Sequence, residues 1–192
     1  MNEVKETTRK TKRVNSANII VRESITEALL SLMKKKQFAD ITISELTKKA
    51  GVGRVSFYRN YESKEDVLLQ YMVSVSADYW KTHHVEDPAV LWKILFELFE
   101  LMKPTVKLMH KAGIDSLLYT YIKECTKSSE PMTTKESYER AMYTGLAFGL
   151  YDRWISGGMK ETPEELSTFF QDVFFPCAKR ERESGKQPHI CE

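Results

Sequence analysis

The sequence predicts an all-α fold, with an N-terminal three-helix helix-turn-helix domain followed by a larger C-terminal helical domain. Three observations carry this. Apolar residues recur at intervals of three and four through most of the 192 residues, while the alternation of half-buried strands is scarce. Several periodic segments open on Ser or Thr with an acidic residue three positions on, the pattern that satisfies orphan amides at a helix start. Short polar stretches with Gly or Pro separate the segments, and no repeat intervenes.

Taken in order, residues 1–15 read as a flexible basic arm, 16–63 as the helix-turn-helix domain, 64–177 as the second helical domain and 178–192 as a polar tail. The first helix is predicted from near Ser16 to about Lys36. Ile20, Ile25, Ala28, Leu29, Leu32 and Met33 form its apolar stripe, and three lysines close the end where the helix dipole favours cations. Thr42 with Glu45 opens a short second helix that buries Ile43, Leu46 and Ala50. Gly51 supplies the positive φ that ends it, and Val52 plugs the angle before a third helix, Gly53 to Asn60. A long fourth helix runs from Glu62 to about Trp80, capped by Ser63 with Asp66. His83 to Pro88 breaks the pattern, and Pro104 and Gly113 punctuate shorter helices beyond it. A helix from about Lys135 to Ile155 ends at Gly157 and Gly158. The last is announced by Thr162, Pro163 and Glu165, with Leu166, Phe169, Phe170, Val173 and Phe174 on one apolar face.

Composition narrows the class. An apolar content of 42% with 29% charged residues is that of a globular protein, and no apolar run approaches the roughly 20 residues that span a bilayer, so no membrane partner is expected. Met1 to Arg13 is polar and basic without an apolar stretch behind it, unlike a secretory signal, and a cytoplasmic location is the default expectation. Cys125, Cys177 and Cys191 are odd in number and widely spaced, which argues for reduced thiols rather than disulfides or zinc ligands. His83 and His84 with Glu86 and Asp87 read as solvated residues in a polar break; no metal or cofactor is expected. Residues 1–65 hold 14 Lys or Arg against 8 Asp or Glu, a balance of +6, and the remainder holds 15 against 19, a balance of −4. A basic first third is what a phosphate-contacting module needs.

The turn between the second and third helices is as short as a DNA-binding helix-turn-helix requires. At about 100° per residue, Arg54, Val55, Tyr58 and Arg59 share an arc of about 140° while Phe57 points inward. Arginine can bond guanine bidentately, valine can touch a thymine methyl, and tyrosine and serine hydroxyls can bond phosphates. Ala50, Gly51, Val52, Phe57, Tyr58, Tyr61, Lys64 and Leu68 stand at the spacing of the TetR family, which residues 18 to 70 resemble. The resemblance implies that Arg54, Val55 and Ser56 approach bases, that Tyr58, Arg59 and Asn60 hold phosphates, and that Thr42 and Lys64 clamp the DNA backbone. Two positions depart from the family pattern. Gly53 stands where Ser or Thr is common, losing one hydroxyl for a phosphate, and Val55 stands where a small residue is common.

The segment Gly149 to Leu166 is similar to the regulatory domain of a TetR-family group from low-GC Gram-positive bacteria, which implies a homodimer built on the last two helices. Ala141, Gly145 and Gly149 point the same way, since interior glycines cost a helix about 1 kcal/mol each and close helix approach would compensate, across a dimer or within the subunit. Trp80, Trp92, Phe96, Phe99, Met102, Met109, Tyr119, Tyr121, Tyr143, Phe148, Tyr151 and Trp154 supply surface for core and for a small apolar effector. The resemblance therefore implies a sequence-specific transcriptional regulator, a ligand-responsive repressor acting as a homodimer on a palindromic double-stranded DNA operator. A co-regulator working through protein partners is the alternative, and it would lack Arg54, Ser56, Tyr58, Arg59 and Lys64. A helical enzyme is disfavoured: Ser31 and Lys34 have Ser-x-x-Lys spacing but no oxyanion-hole glycines nearby.

Overall fold

The computed structural model describes the backbone of residues 2–83, 88–128 and 130–174, with side chains described within 18–83, 90–128 and 130–173. Among the described residues all regular structure is helical, without a strand. The helices are α1 (Asn2–Met33), α2 (Ile43–Ala50), α3 (Arg54–Asn60), α4 (Lys64–Trp80), α5 (Pro88–Leu101), α6 (Lys103–Lys111), α7 (Ser116–Cys125), α8 (Thr134–Ser156) and α9 (Pro163–Phe174). A 3-10 turn, Phe38–Asp40, joins α1 to α2.

Two boundaries of α1 differ from expectation. The helix is continuous from Asn2 rather than beginning at Ser16. Nothing between residues 2 and 33 is Gly or Pro, so no residue type there interrupts a helix once the apolar stripe has nucleated it. At the other end α1 stops at Met33, because the chain must turn to bury Phe38; the amides of Lys35 and Lys36 close on the Leu32 carbonyl at 2.9 and 3.1 Å. The stripe itself loses one member. Ile25, Ala28, Leu29, Leu32 and Met33 are buried, but Ile20 is exposed, lying about 140° around the helix from Ile25.

One hydrophobic core runs through the molecule. Ile25, Leu29, Leu46 and Phe57 from the first three helices meet Val67, Leu68 and Met72 of α4, all without solvent exposure. The division drawn between residues 63 and 64 is therefore not a gap in packing, since the first turns of α4 complete the core of the N-terminal domain. Further along, α4 packs on α7, α7 on α8, and α5 lies along α9, with Lys93 of α5 paired to Glu164 of α9. Phe99 stacks on Tyr151 with ring centroids 3.5 Å apart, and Trp92 covers Phe170.

Local chemistry sets the remaining joints. Thr133 and Glu136 form a reciprocal capping box at the start of α8, as Thr162 and Glu165 do for α9. Between them Gly158 (φ 87°) and Met159 (φ 53°) take left-handed backbone, and the buried Met159 together with a Trp154 Nε1 to Glu161 carbonyl bond of 3.1 Å locks the turn. No helix among the described residues is long and apolar enough to cross a membrane. His84, Glu86, Asp87, Cys177, Cys191 and the polar tail lie outside the described residues.

Candidate nucleic-acid interface

The helix-turn-helix is assembled from local signals. Thr42 takes extended backbone and its hydroxyl oxygen accepts the Glu45 amide at 3.2 Å, which starts α2. Because that oxygen acts as acceptor, the hydroxyl proton remains available to donate. Gly51 ends α2 at φ 68°, a conformation that costs a Cβ-bearing residue about 1 kcal/mol or more. The Val52 amide then closes on the Thr47 carbonyl at 3.0 Å. Lys36 reaches Glu45 at 2.6 Å and fixes the end of the α1 turn against α2.

On α3 the two faces separate cleanly. Phe57 is fully buried and Tyr61, just past the helix end, is nearly so, whereas Val55 is 73% exposed and Tyr58 54% exposed. Arg54 and Arg59 are also exposed, and neither has an ion-pair or hydrogen-bond partner among the described residues. Tyr58 sits edge-on against Phe57 at 5.3 Å, so its ring is steered while its hydroxyl stays in water. Ser56 is half-buried at the edge of the arc. Asn60 folds its amide back onto the Ser56 carbonyl at 2.8 Å, leaving the side-chain oxygen uncommitted.

Lys64 does not join this arc. Its ammonium donates to three carbonyls of the 3-10 turn, those of Phe38, Ala39 at 3.2 Å and Ile41 at 3.1 Å, and lies 4.4 Å from the centre of the Phe38 ring. All three protons are thus used within the chain. A lysine in the first turn of a helix faces the positive end of the dipole, and these carbonyls offset that cost. In this arrangement Lys64 ties α4 to the α1–α2 connection rather than presenting a charge outward.

A second network, which sequence reasoning missed, aims α3. Arg22 of α1 donates to the Gln70 side-chain oxygen at 2.7 Å and lies over the Tyr61 ring. Gln70 in turn donates to Asp66 at 2.9 Å and to the Asn60 carbonyl at 3.4 Å, while Asp66 accepts the Glu62 amide at 3.0 Å. The end of α3 is therefore held jointly by α1 and α4. Arg22 and Gln70 are 48 residues apart, and no local pattern marks such a pair.

The C-terminal domain holds a cavity of about 620 Å³ between α5, α7 and α8, reached by Trp80 at the end of α4. Of the residues expected to serve core or pocket, Trp80, Trp92, Phe99, Tyr121, Tyr143 and Tyr151 line it. Phe96, Met102, Met109 and Trp154 are instead buried core, and Tyr119 packs edge-on against Phe148. Tyr121 and Cys125 of α7 also line the cavity, and the Tyr121 hydroxyl bonds Ser76 of α4. Burial pushes the Tyr121 phenol above its ordinary range, so it stays protonated near neutrality. On the outer side of α8, Gly145 and Gly149 have nothing within 4 Å of where a Cβ would sit. Met142 beside them is 73% exposed, as are Phe169 (61%) and Val173 on α9, so the apolar face expected for α9 is divided between core and surface.

Residues 25–71 match the family model described as bacterial regulatory proteins, tetR family. Over 68 residues the chain is 38% identical to the uncharacterized HTH-type transcriptional regulator YxbF of Bacillus subtilis (strain 168), an alignment covering 35% of this chain. The chain spans only 18% of that relative's length.

Proposed function

We propose, from the premise that the N-terminal domain of this chain is that of the tetR family of bacterial regulatory proteins, that the protein is a DNA-binding transcriptional regulator. It reads a palindromic operator as a homodimer and represses by occluding the promoter until an apolar effector binds. The observation that carries this is the outward arc of α3: Arg54, Val55, Tyr58 and Arg59 exposed over a fully buried Phe57. Two exposed guanidiniums without a partner among the described residues and an exposed phenol hydroxyl match the acceptors of base edges and phosphates. Arg54 and Val55, at the start of the helix, approach bases together with Ser56. Tyr58, Arg59, the second amide N–H of Asn60 and the Thr42 hydroxyl proton lie around them as donors to the DNA backbone. Lys64 supports the reading head from behind.

The dimer reading is supported by α8 and α9. Their exposed Met142, Phe169 and Val173, with two glycines that have no neighbour within 4 Å of an added Cβ among the described residues, form a surface another copy can approach closely. Two-fold symmetry then places two reading helices about 34 to 36 Å apart, one helical turn of DNA. In selection from random duplexes the wild type should enrich a palindrome, and Arg54→Ala should lose about 1 to 3 kcal/mol of discrimination at one position of each half-site. An unchanged consensus in that variant would remove Arg54 from base reading; no enrichment by the wild type would sink the operator reading altogether.

A further inference from the structure

The cavity in the C-terminal domain is not uniform along its length. Every charged residue that lines it, Glu136, Glu139 and Arg140, sits on the first two turns of α8. Among its most deeply buried lining residues are Phe99, Tyr121 and Tyr151, each exposed by 2% or less. The rest of the lining is uncharged and mostly aliphatic or aromatic, Leu95 and Tyr143 among it, with the hydroxyls of Thr126 and Ser128. A site polar at one end and apolar along its shaft matches a molecule of the same construction.

The sign of the polar end follows from which charges are already committed. One oxygen of Glu136 accepts both the Thr133 amide and the Thr133 hydroxyl at 2.7 Å, the contacts that start α8 and hold the carboxyl below its usual range. Glu139 faces Lys135 at 3.6 Å. Arg140, half-buried, has no ion-pair or hydrogen-bond partner among the described residues. A guanidinium presents a planar fork that fits a carboxylate with two parallel bonds. From Arg140 to Tyr151 the helix rises about 16 Å, room for an extended chain of about a dozen carbons.

We propose that the cavity binds an elongated amphipathic carboxylate, its head on Arg140 and its apolar chain running inward toward Tyr151. This inference rests on the reading of the C-terminal domain as the ligand-responsive part of a regulator, and it specifies the ligand's chemistry. The charge determines orientation as well as selectivity, since only the mouth can hold an ionised group without burying it unpaired.

The test uses the full-length protein and calorimetry without DNA, with dodecanoate, dodecanol and dodecyltrimethylammonium as probes below their aggregation thresholds. Dodecanoate should bind with one site per chain, at least about tenfold tighter than either of the other two, and Arg140→Gln should abolish that preference while leaving dodecanol unchanged. Octanoate and decanoate should bind progressively more weakly, by roughly tenfold per two carbons removed. Tighter binding of the ammonium compound, an unchanged preference in Arg140→Gln, or no saturable binding of any probe would each overturn the proposal. Operator titration is then run with and without dodecanoate. Arg140-dependent binding that leaves operator affinity unaltered supports the ligand class and overturns ligand control of DNA binding, so the two readings fail separately.

Discussion

The outward face of α3 and the outward face of α8 are both exposed in the single chain, yet they are built from different chemistry. On α3 the face is Arg54, Val55, Tyr58 and Arg59, held over the buried Phe57; on α8 it is Tyr138, Ala141, Met142, Gly145 and Gly149. The first projects cations and hydroxyls that hydrate well, so its exposure costs little and its use requires a partner rich in acceptors. The second exposes apolar side chains and carries two glycines, each weakening the helix by about 1 kcal/mol relative to alanine. With no neighbour within 4 Å of an added Cβ among the described residues, those glycines are not explained by the packing seen there. Exposure alone therefore says little. The informative question is what each exposed residue costs the isolated chain.

The largest test of this contrast is Phe57→Ala. Deleting a fully buried ring should cost about 3 to 5 kcal/mol and, with it, DNA binding, whereas Val55→Ala two residues away should stay within about 0.5 kcal/mol. Thermal unfolding of both variants reads the difference, and similar melting temperatures would mean that the two faces of α3 are not distinct. Gly145→Leu sharpens the other side. The new side chain meets open space, so the chain's own stability should rise by up to about 1 kcal/mol while self-association weakens. Sedimentation that finds a dimer of unchanged strength would place the interface elsewhere.

A smaller effect separates Lys64 from the arc. Lys64→Met removes three bonds to the 3-10 turn and should cost about 1 to 3 kcal/mol of stability without altering the salt dependence of operator binding. Arg59→Met should leave stability alone and flatten the salt slope by about one unit. If Lys64→Met flattens the slope instead, its ammonium leaves the turn for a phosphate. The smallest effect is in acid. Glu136 and Glu165 are both held below the usual carboxylate value of 4.5 by contacts to Thr133 and Thr162. A lowered folded value means the capping contribution is complete above the unfolded value and disappears as pH falls through the folded one. Amide-exchange protection, taken relative to the intrinsic rate at each pH, should therefore fall in the first turns of α8 and α9 below about pH 4.5, whereas α3, which has no acidic residue in its first turn, should show no such step.

Most of what the sequence made legible was local. Thr42 with Glu45, Ser63 with Asp66, Thr162 with Glu165 and the glycine at 51 each act within four residues, so reading along the chain is enough to find them. The same logic would have found Thr133 with Glu136, which sets the start of α8 at Thr134 rather than Lys135. The bonds from Lys64 back to residues 38–41 and the Arg22 to Gln70 link span 23 to 48 residues and depend on how helices cross, which periodicity does not encode. The start of α1 was misplaced for the opposite reason: an absence of breakers is a weaker signal than a cap. For the cavity, aromatic content pointed to the right helices without dividing core from lining. That division depends on the rotation of α5 and α8 about their axes.

The helix α4 behaves mechanically as a rod pinned at two places. Near its first turns, Asp66 and Gln70 are joined to Arg22 and the end of α3; near its far end, Ser76 is bonded to Tyr121 on the cavity wall. Ten residues separate Asp66 from Ser76, about 15 Å of stiff helix, so a tilt of about 10° about one pin carries the other about 3 Å. One base pair occupies about 3.4 Å of duplex on each strand. If the chain reads DNA as the symmetric pair proposed above, both heads would move, and a repacking at Tyr121 too small to disturb the cavity's outline would still put the two α3 helices out of step with the turn of the DNA. Distances between spin labels on α3 of the two copies, measured with and without a cavity ligand, would read that displacement directly.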